Sequence, residues 1–194
     1  MRVTKEKAAE NRERILTAAA RLFRERGLSG VGVDALGEAA GMTHGSLYSQ
    51  FGSKERLAAE ALTEALARSA GKAALENAEL GSGALSGYIA RYLSTRHRDD
   101  PGHGCALAAL GCEIPRQPPA VRRAFTEGLQ ATVGRIARLL PQGCRKARQD
   151  EALASMATLV GALVLARAVD DPTLSERILT ATKDRLTDGM PPSV

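Results

Sequence analysis

The chain has 194 residues, a formal net charge of +5 and a pI near 9.4, with 44% hydrophobic and 3% aromatic residues. That length can bury a core in one or two domains, and the basic balance favours polyanions, although Lys and Arg alternate with Glu and form no basic block. An odd cysteine count argues against a disulfide scaffold, Met1 to Arg14 is charged without the apolar core of a signal peptide, and the run Ala152 to Ala166 is shorter than the ~20 apolar residues of a bilayer span, so a cytoplasmic protein with reduced thiols is expected.

Asn11 to Arg26 carries Ile15, Leu16, Ala19, Leu22 and Phe23 at helical spacing, and Gly27 stops the helix behind the cations Arg24 and Arg26. A short helix follows over Val33 to Ala40, burying Val33, Leu36 and Ala40, and Gly41 closes it. Thr43 caps the next one. Leu47 and Phe51 point into a core, which leaves His44, Gly45, Ser46, Tyr48 and Ser49 facing out. Helix, glycine turn, helix is the helix-turn-helix plan, and an outward face this small and lightly charged suits a helix laid in the major groove of DNA.

Lys54 to about Ala78 is predicted as a long helix with a stripe of Leu57, Ala58, Ala61, Leu62, Ala65 and Leu66, suited to transmit movement between two units. Gly81-Ser82-Gly83 breaks the pattern. Leu85, Tyr88, Ile89, Tyr92 and Leu93 form a further amphipathic helix that ends at Arg98-Asp99-Asp100-Pro101-Gly102. A short helix is expected from Cys105 to Ile114, stopped by Pro115, and another from about Pro119 to Leu140 that buries Val121, Phe125, Leu129, Val133 and Ile136. Two helices close the chain, roughly Glu151 to Val169 and Pro172 to Thr187, the latter capped by Asp171 with proline in its first turn. The penultimate helix is apolar on most of its circumference, through Leu153, Met156, Leu159, Val160, Leu163, Val164 and Leu165. It is either the central helix of a monomer or is covered in part by a partner chain.

Residues 11 to 57 resemble the N-terminal domain of the TetR family of bacterial transcriptional regulators. The likeness rests on Ile15-Leu16-x-x-Ala19-x-x-Leu22-Phe23 with Gly27, Glu38-Ala39-Ala40-Gly41-Met42-Thr43, Gly45-x-Leu47-Tyr48-x-x-Phe51 and Lys54-Glu55-x-Leu57. It implies an all-α fold in which a three-helix helix-turn-helix domain, residues 1–53, joins a helical ligand-sensing and dimerisation domain, residues 54–194. It also implies a repressor that binds a pseudo-palindromic double-stranded DNA operator as a homodimer, through a four-helix bundle made by residues about 151–187. By the same resemblance Thr43, Tyr48 and Lys54 match phosphate contacts, and His44, Gly45, Ser46 and Ser49 match the face toward the bases. Two positions depart from the pattern. Gly32 stands where threonine is usual, so a hydroxyl is missing ahead of the second helix, and His44 stands where lysine is common, which makes that contact depend less on salt and more on pH.

The resemblance places a small-molecule effector among the middle helices. His103-Gly104-Cys105 through Cys112-Glu113 resembles a subgroup with Gly-Cys at the start of its sixth helix, some members of which respond to electrophiles or oxidants. A thiol at a helix N-terminus has its thiolate favoured by the dipole, which makes Cys105 a candidate sensor. Cys112 would share its face, but ~10 Å along the axis, too far for a direct disulfide. Cys105 could equally be a packed hydrophobe beside a noncovalent apolar ligand, for which Ala106, Ala108, Ala109 and Gly111 leave room and Tyr88, Tyr92 and Phe125 supply walls. No cofactor or metal is expected, because His97, His103 and Cys105 match no standard zinc spacing. The chain carries no Gly-x-Ser-x-Gly, phosphate-cradling glycine loop or His-Glu-x-x-His, so no enzyme is expected. A thiol-dependent enzyme using Cys105 and His103, or an adaptor without DNA binding, is the alternative.

Overall fold

Thr4 opens the first helix well before the apolar period begins: its Oγ1 accepts the Lys7 N–H at 3.2 Å, and Lys7 pairs with Glu10 one turn on. Good helix formers after a cap extend a helix without any apolar residue. In the computed structural model, which describes residues 4–78, 83–140 and 144–188, this helix is α1, Lys5–Arg26. It is followed by α2 (Val33–Ala40), α3 (His44–Phe51), α4 (Lys54–Ala78), α5 (Ala84–Tyr92), α6 (Thr95–Asp99), α7 (Ala106–Leu110), α8 (Pro119–Leu139), α9 (Arg145–Ala168) and α10 (Pro172–Thr187), with 3-10 turns at Pro101–His103 and Ile114–Arg116. The fold is all-α among the described residues, as expected. Gly81 and Ser82, where a break was expected, lie outside them.

The turn between α2 and α3 needs its glycine. Gly41 sits at φ 62° and ψ 40°, where its N–H reaches the Glu38 carbonyl at 3.0 Å and the Met42 N–H reaches that of Gly37 at 2.8 Å. A side chain there would meet the left-handed penalty of about 1–2 kcal/mol. Arg14 of α1 caps the same corner, its Nη2 donating to the Ala40 carbonyl at 2.9 Å.

α1 packs on α2 and α4, α2 on α3, and α4 runs along both α1 and α8; α8 then packs on α9, and α9 on α10 and α7. One buried cluster runs from Ile15 of α1 through Leu62 of α4 and Ile136 of α8 to Leu179 of α10. The long α4 thus belongs to both ends of the molecule.

Besides the earlier start of α1, three elements differ from the sequence expectation. The helix expected from Cys105 to Ile114 stops at Leu110, because the chain turns so that the Glu113 N–H bonds the Leu110 carbonyl at 2.9 Å, and Pro115 has no N–H to continue it. Cys112 therefore lies exposed in a turn rather than on a helix face shared with Cys105. The short α6, capped by Ser94, carries no apolar residue and so shows no period. α9 begins at Arg145, ahead of its apolar stretch, for the same reason as α1. By length and composition α9 is the one described helix able to cross a membrane, but Ala152, Ser155, Met156, Leu159, Ala162, Leu163 and Ala166 are buried in the core.

Candidate nucleic-acid interface

α3 is anchored from below and open from above. Thr43 Oγ1 accepts the Ser46 N–H at 3.3 Å, and Leu47 and Phe51 are buried, at 3% and 2% exposure. The far end is held by an arginine from α1: the Arg12 guanidinium lies 4.3 Å from the Phe51 ring centroid, donates to the Gln50 carbonyl at 2.9 Å and pairs with Glu60 of α4. One side chain thus ties α1, α3 and α4 together. Neither Arg12 nor Arg14 was singled out from the sequence, since their partners lie far along the chain and no local spacing announces them.

The open face carries no Asp, Glu, Lys or Arg. Tyr48 is 44% exposed, and its ring meets that of His44 at a tilt with centroids 5.0 Å apart. Ser46 shares its hydroxyl with Thr43 at 2.9 Å, and Ser49 Oγ donates back to the Ser46 carbonyl at 2.9 Å. Gly45 is exposed, and a Cβ there would meet nothing within 4 Å. Glycine inside a helix costs roughly 0.5–1 kcal/mol relative to alanine, and no packing within the chain accounts for its presence. Lys54, at the start of α4, shares with Tyr48 the rim of a shallow apolar slot over Val33, Leu36, Leu47 and Leu57. The first amides of α3 have no intrahelical partner, and no carboxylate in the helix offsets its positive end. Gly32, the N-cap of α2, makes no side-chain bond, and space around it is open, so nothing replaces the missing hydroxyl.

The candidate sensor residues divide. Tyr88 and Tyr92 meet at a tilt with centroids 5.9 Å apart, and both hydroxyls are pushed well up by burial, with the neighbouring Cys105 sulfur adding to it. The Tyr92 hydroxyl is buried, with the Cys105 sulfur as its polar neighbour. His97, unassigned from the sequence except as a rejected metal ligand, completes this group: its ring meets Tyr92 edge-on at 4.7 Å, Nδ1 lies 2.7 Å from the Tyr92 carbonyl, and Nε2 accepts the Cys105 N–H at 2.9 Å. Those partners hold the neutral Nδ1–H tautomer, and burial lowers the His97 pKa in the same sense. Ala108 is buried and Ala109 half-buried in α7, while half-buried Phe125 lies on α8 beside Gly111. Cys112 stays outside the group.

Cys105 stands at the N-terminus of only a five-residue helix, a short dipole. Cys144 has the stronger claim. It stands exposed at the N-terminus of the 24-residue α9, where the amides of Ala147 and Lys146 hold its thiol below the ordinary range. The sequence expectation began this helix at Glu151, and the helix formers from Arg145 onward are the signal that could have placed its start at Cys144.

A family model for bacterial regulatory proteins of the TetR family matches residues 15–61, and one for the tetracyclin repressor-like C-terminal domain matches residues 81–182. A helix-turn-helix-type transcriptional regulator from Mycobacterium tuberculosis strain H37Rv is 31% identical over 170 residues, covering 84% of this chain and 87% of that protein. The regulator LmrA of Bacillus subtilis is 46% identical over 56 residues, which is 28% of this chain and 30% of LmrA. Among solved structures, the reduced form of Escherichia coli NemR superimposes with a TM-score of 0.78 at 20% identity, covering 95% of this chain and 100% of that one. The family models and the Mycobacterium tuberculosis relative make the chain a helix-turn-helix, DNA-binding transcriptional regulator rather than an enzyme. Within that class, the chain belongs to the TetR family.

Proposed function

We infer that this regulator is a homodimeric repressor of the cytoplasm, in which residues 1–53 read a pseudo-palindromic operator and residues 54–194 dimerise and sense an effector. The outer face of α9 carries this reading. From Leu153 to Ala168 that face presents Leu153, Ala154, Ala157, Thr158, Gly161, Val164, Leu165 and Ala168 and no charge, with Leu153 at 48% and Leu165 at 57% exposure. An uncharged stripe of this length is a surface to be covered, and its small residues allow two helices to approach closely. A two-fold copy laid on it, with Leu174 of α10 at the edge, makes a four-helix bundle and sends two α3 helices into successive major grooves. The effector reading places a small apolar molecule, or covalent modification of Cys105, at the group formed by Tyr88, Tyr92, Cys105, Ala108, Ala109 and Phe125.

Fluorescence anisotropy on duplex DNA from upstream of the protein's own gene tests the reading at fixed salt. Tyr48→Phe is expected to weaken binding to every duplex about 3- to 10-fold with unchanged sequence preference, as loss of one phosphate hydrogen bond should. Unchanged affinity would remove Tyr48 from the interface. Treatment with N-ethylmaleimide separates the thiols. Release of wild-type protein but not of Cys105→Ser assigns sensing to Cys105, and retention only in Cys144→Ser moves it to the helix terminus. Binding untouched by the reagent leaves the noncovalent effector.

A further inference from the structure

The reading head and the helical body are joined by α4 and, independently, by a pair of polar ties that no local motif announces. Glu113, in the turn after α7, aims its carboxylate across to the loop that follows α1. Its Oε1 accepts the Leu28 N–H at 3.2 Å and its Oε2 accepts the Ser29 N–H at 3.1 Å. Gly27 leaves α1 at φ 77°, and a Cβ there would overlap the same carboxylate, so the loop is shaped to receive it. The second tie lies nearby: Arg24 Nε donates to the Gly102 carbonyl at 2.8 Å, with Nη2 on the same oxygen. A Cβ on buried Gly102 would overlap Glu25, so this contact is also close.

Both ties come from the segment 102–113, whose middle is α7. That helix packs on α9, α1 and α4, and Ala106, Leu107 and Leu110 are buried in it. Glu113 itself is held from both sides, by its N–H on the Leu110 carbonyl at 2.9 Å and by buried Ile114 beside it. A charged acceptor on two backbone amides makes a short, directional link, unlike a long surface ion pair. The loop it grips leads directly into α2, and α2 leads into α3.

We propose that the Glu113 carboxylate is a positioning latch that fixes the angle between the DNA-reading head and the helical body, and so sets the half-site separation that the dimer accepts. The proposal rests on the dimeric reading above. Each added base pair shifts a half-site by ~3.4 Å along the duplex and rotates it by about 35°, so a rigidly held pair of heads discriminates sharply while a loosened pair follows either spacing. The same link delivers any movement of α7 to the heads, because the segment that carries Cys105 also carries both ties.

Two measurements on full-length protein test this. Wild type first selects its site from random duplex DNA, and affinities are then measured on operators whose half-sites are moved apart or together by one base pair. Wild type is expected to lose at least 10-fold for either change, and Glu113→Ala no more than about 3-fold, with its affinity for one isolated half-site unchanged. Amide hydrogen exchange, read in parallel, should accelerate at least 10-fold at Leu28 and Ser29 in Glu113→Ala. Glu113→Gln, which keeps the shape and one acceptor, should fall between the two and covers the case in which Glu113→Ala folds poorly. Paired half-sites with undiminished discrimination in either folded variant, or unchanged exchange at Leu28 and Ser29, overturn the latch alone. A wild type that selects single half-sites overturns the dimeric reading, and the latch's role in spacing falls with it.

Discussion

Phe51→Ala is expected to destabilise the fold by about 3–5 kcal/mol, the usual cost of emptying a buried aromatic site. Phe51 is 2% exposed and closes α3 against α1 and α4, and the Arg12 guanidinium rests on its ring at 4.3 Å. Alanine would leave a cavity and remove the ring face that Arg12 uses while it reaches Gln50 and Glu60. The recognition helix has only Leu47 besides Phe51 fully buried, so it should detach early rather than relax. Urea unfolding at constant protein concentration measures the loss, because a dimer's apparent stability shifts with concentration. A loss under 1 kcal/mol would show that α3 is held by its flanking turns alone.

Leu165→Glu should leave each chain folded and separate the pair. Leu165 is 57% exposed, so a charge there meets water in a lone chain, whereas in a two-fold interface two carboxylates would face each other in an apolar strip. Sedimentation is expected to show a monomer at micromolar concentration, and operator affinity should fall at least 100-fold as two-headed binding is lost. Helicity should remain that of wild type. A dimer that survives Leu165→Glu with full operator affinity would place the interface elsewhere on the molecule.

Legibility in the sequence followed the range of the interactions. The α2–α3 corner was readable because Gly41, Thr43, Leu47 and Phe51 act on neighbours within a turn or two. The starts of α1 and α9 lie ahead of the apolar period because Lys5–Glu10 and Arg145–Glu151 form helix by propensity, helped in α1 by the Thr4 cap. The expected end of α7 lies too late because Pro115 was the only stop signal in view, while the chain already turns at Gly111. The sensor candidates were partly legible: Tyr88, Tyr92 and Cys105 come together, whereas Cys112, drawn in by helical spacing, stands apart once α7 is short.

Determined by the sequence alone were the all-helical class, the helix-turn-helix and the outward residues of α3, since these depend on caps, glycine turns and spacing that act over a few residues. Tertiary structure alone decided that Arg12 seats the recognition helix, that His97 joins the tyrosines beside Cys105, that Cys144 is the thiol favoured by a long helix, and that Glu113 grips the loop after α1. Each of the Arg12, His97 and Glu113 contacts is a hydrogen bond or ring contact between segments separated along the chain, and a side chain's local pattern does not record which distant backbone group the fold will bring to it. For Cys144 the deciding factor was where α9 begins, a boundary set by propensity rather than by any apolar signal.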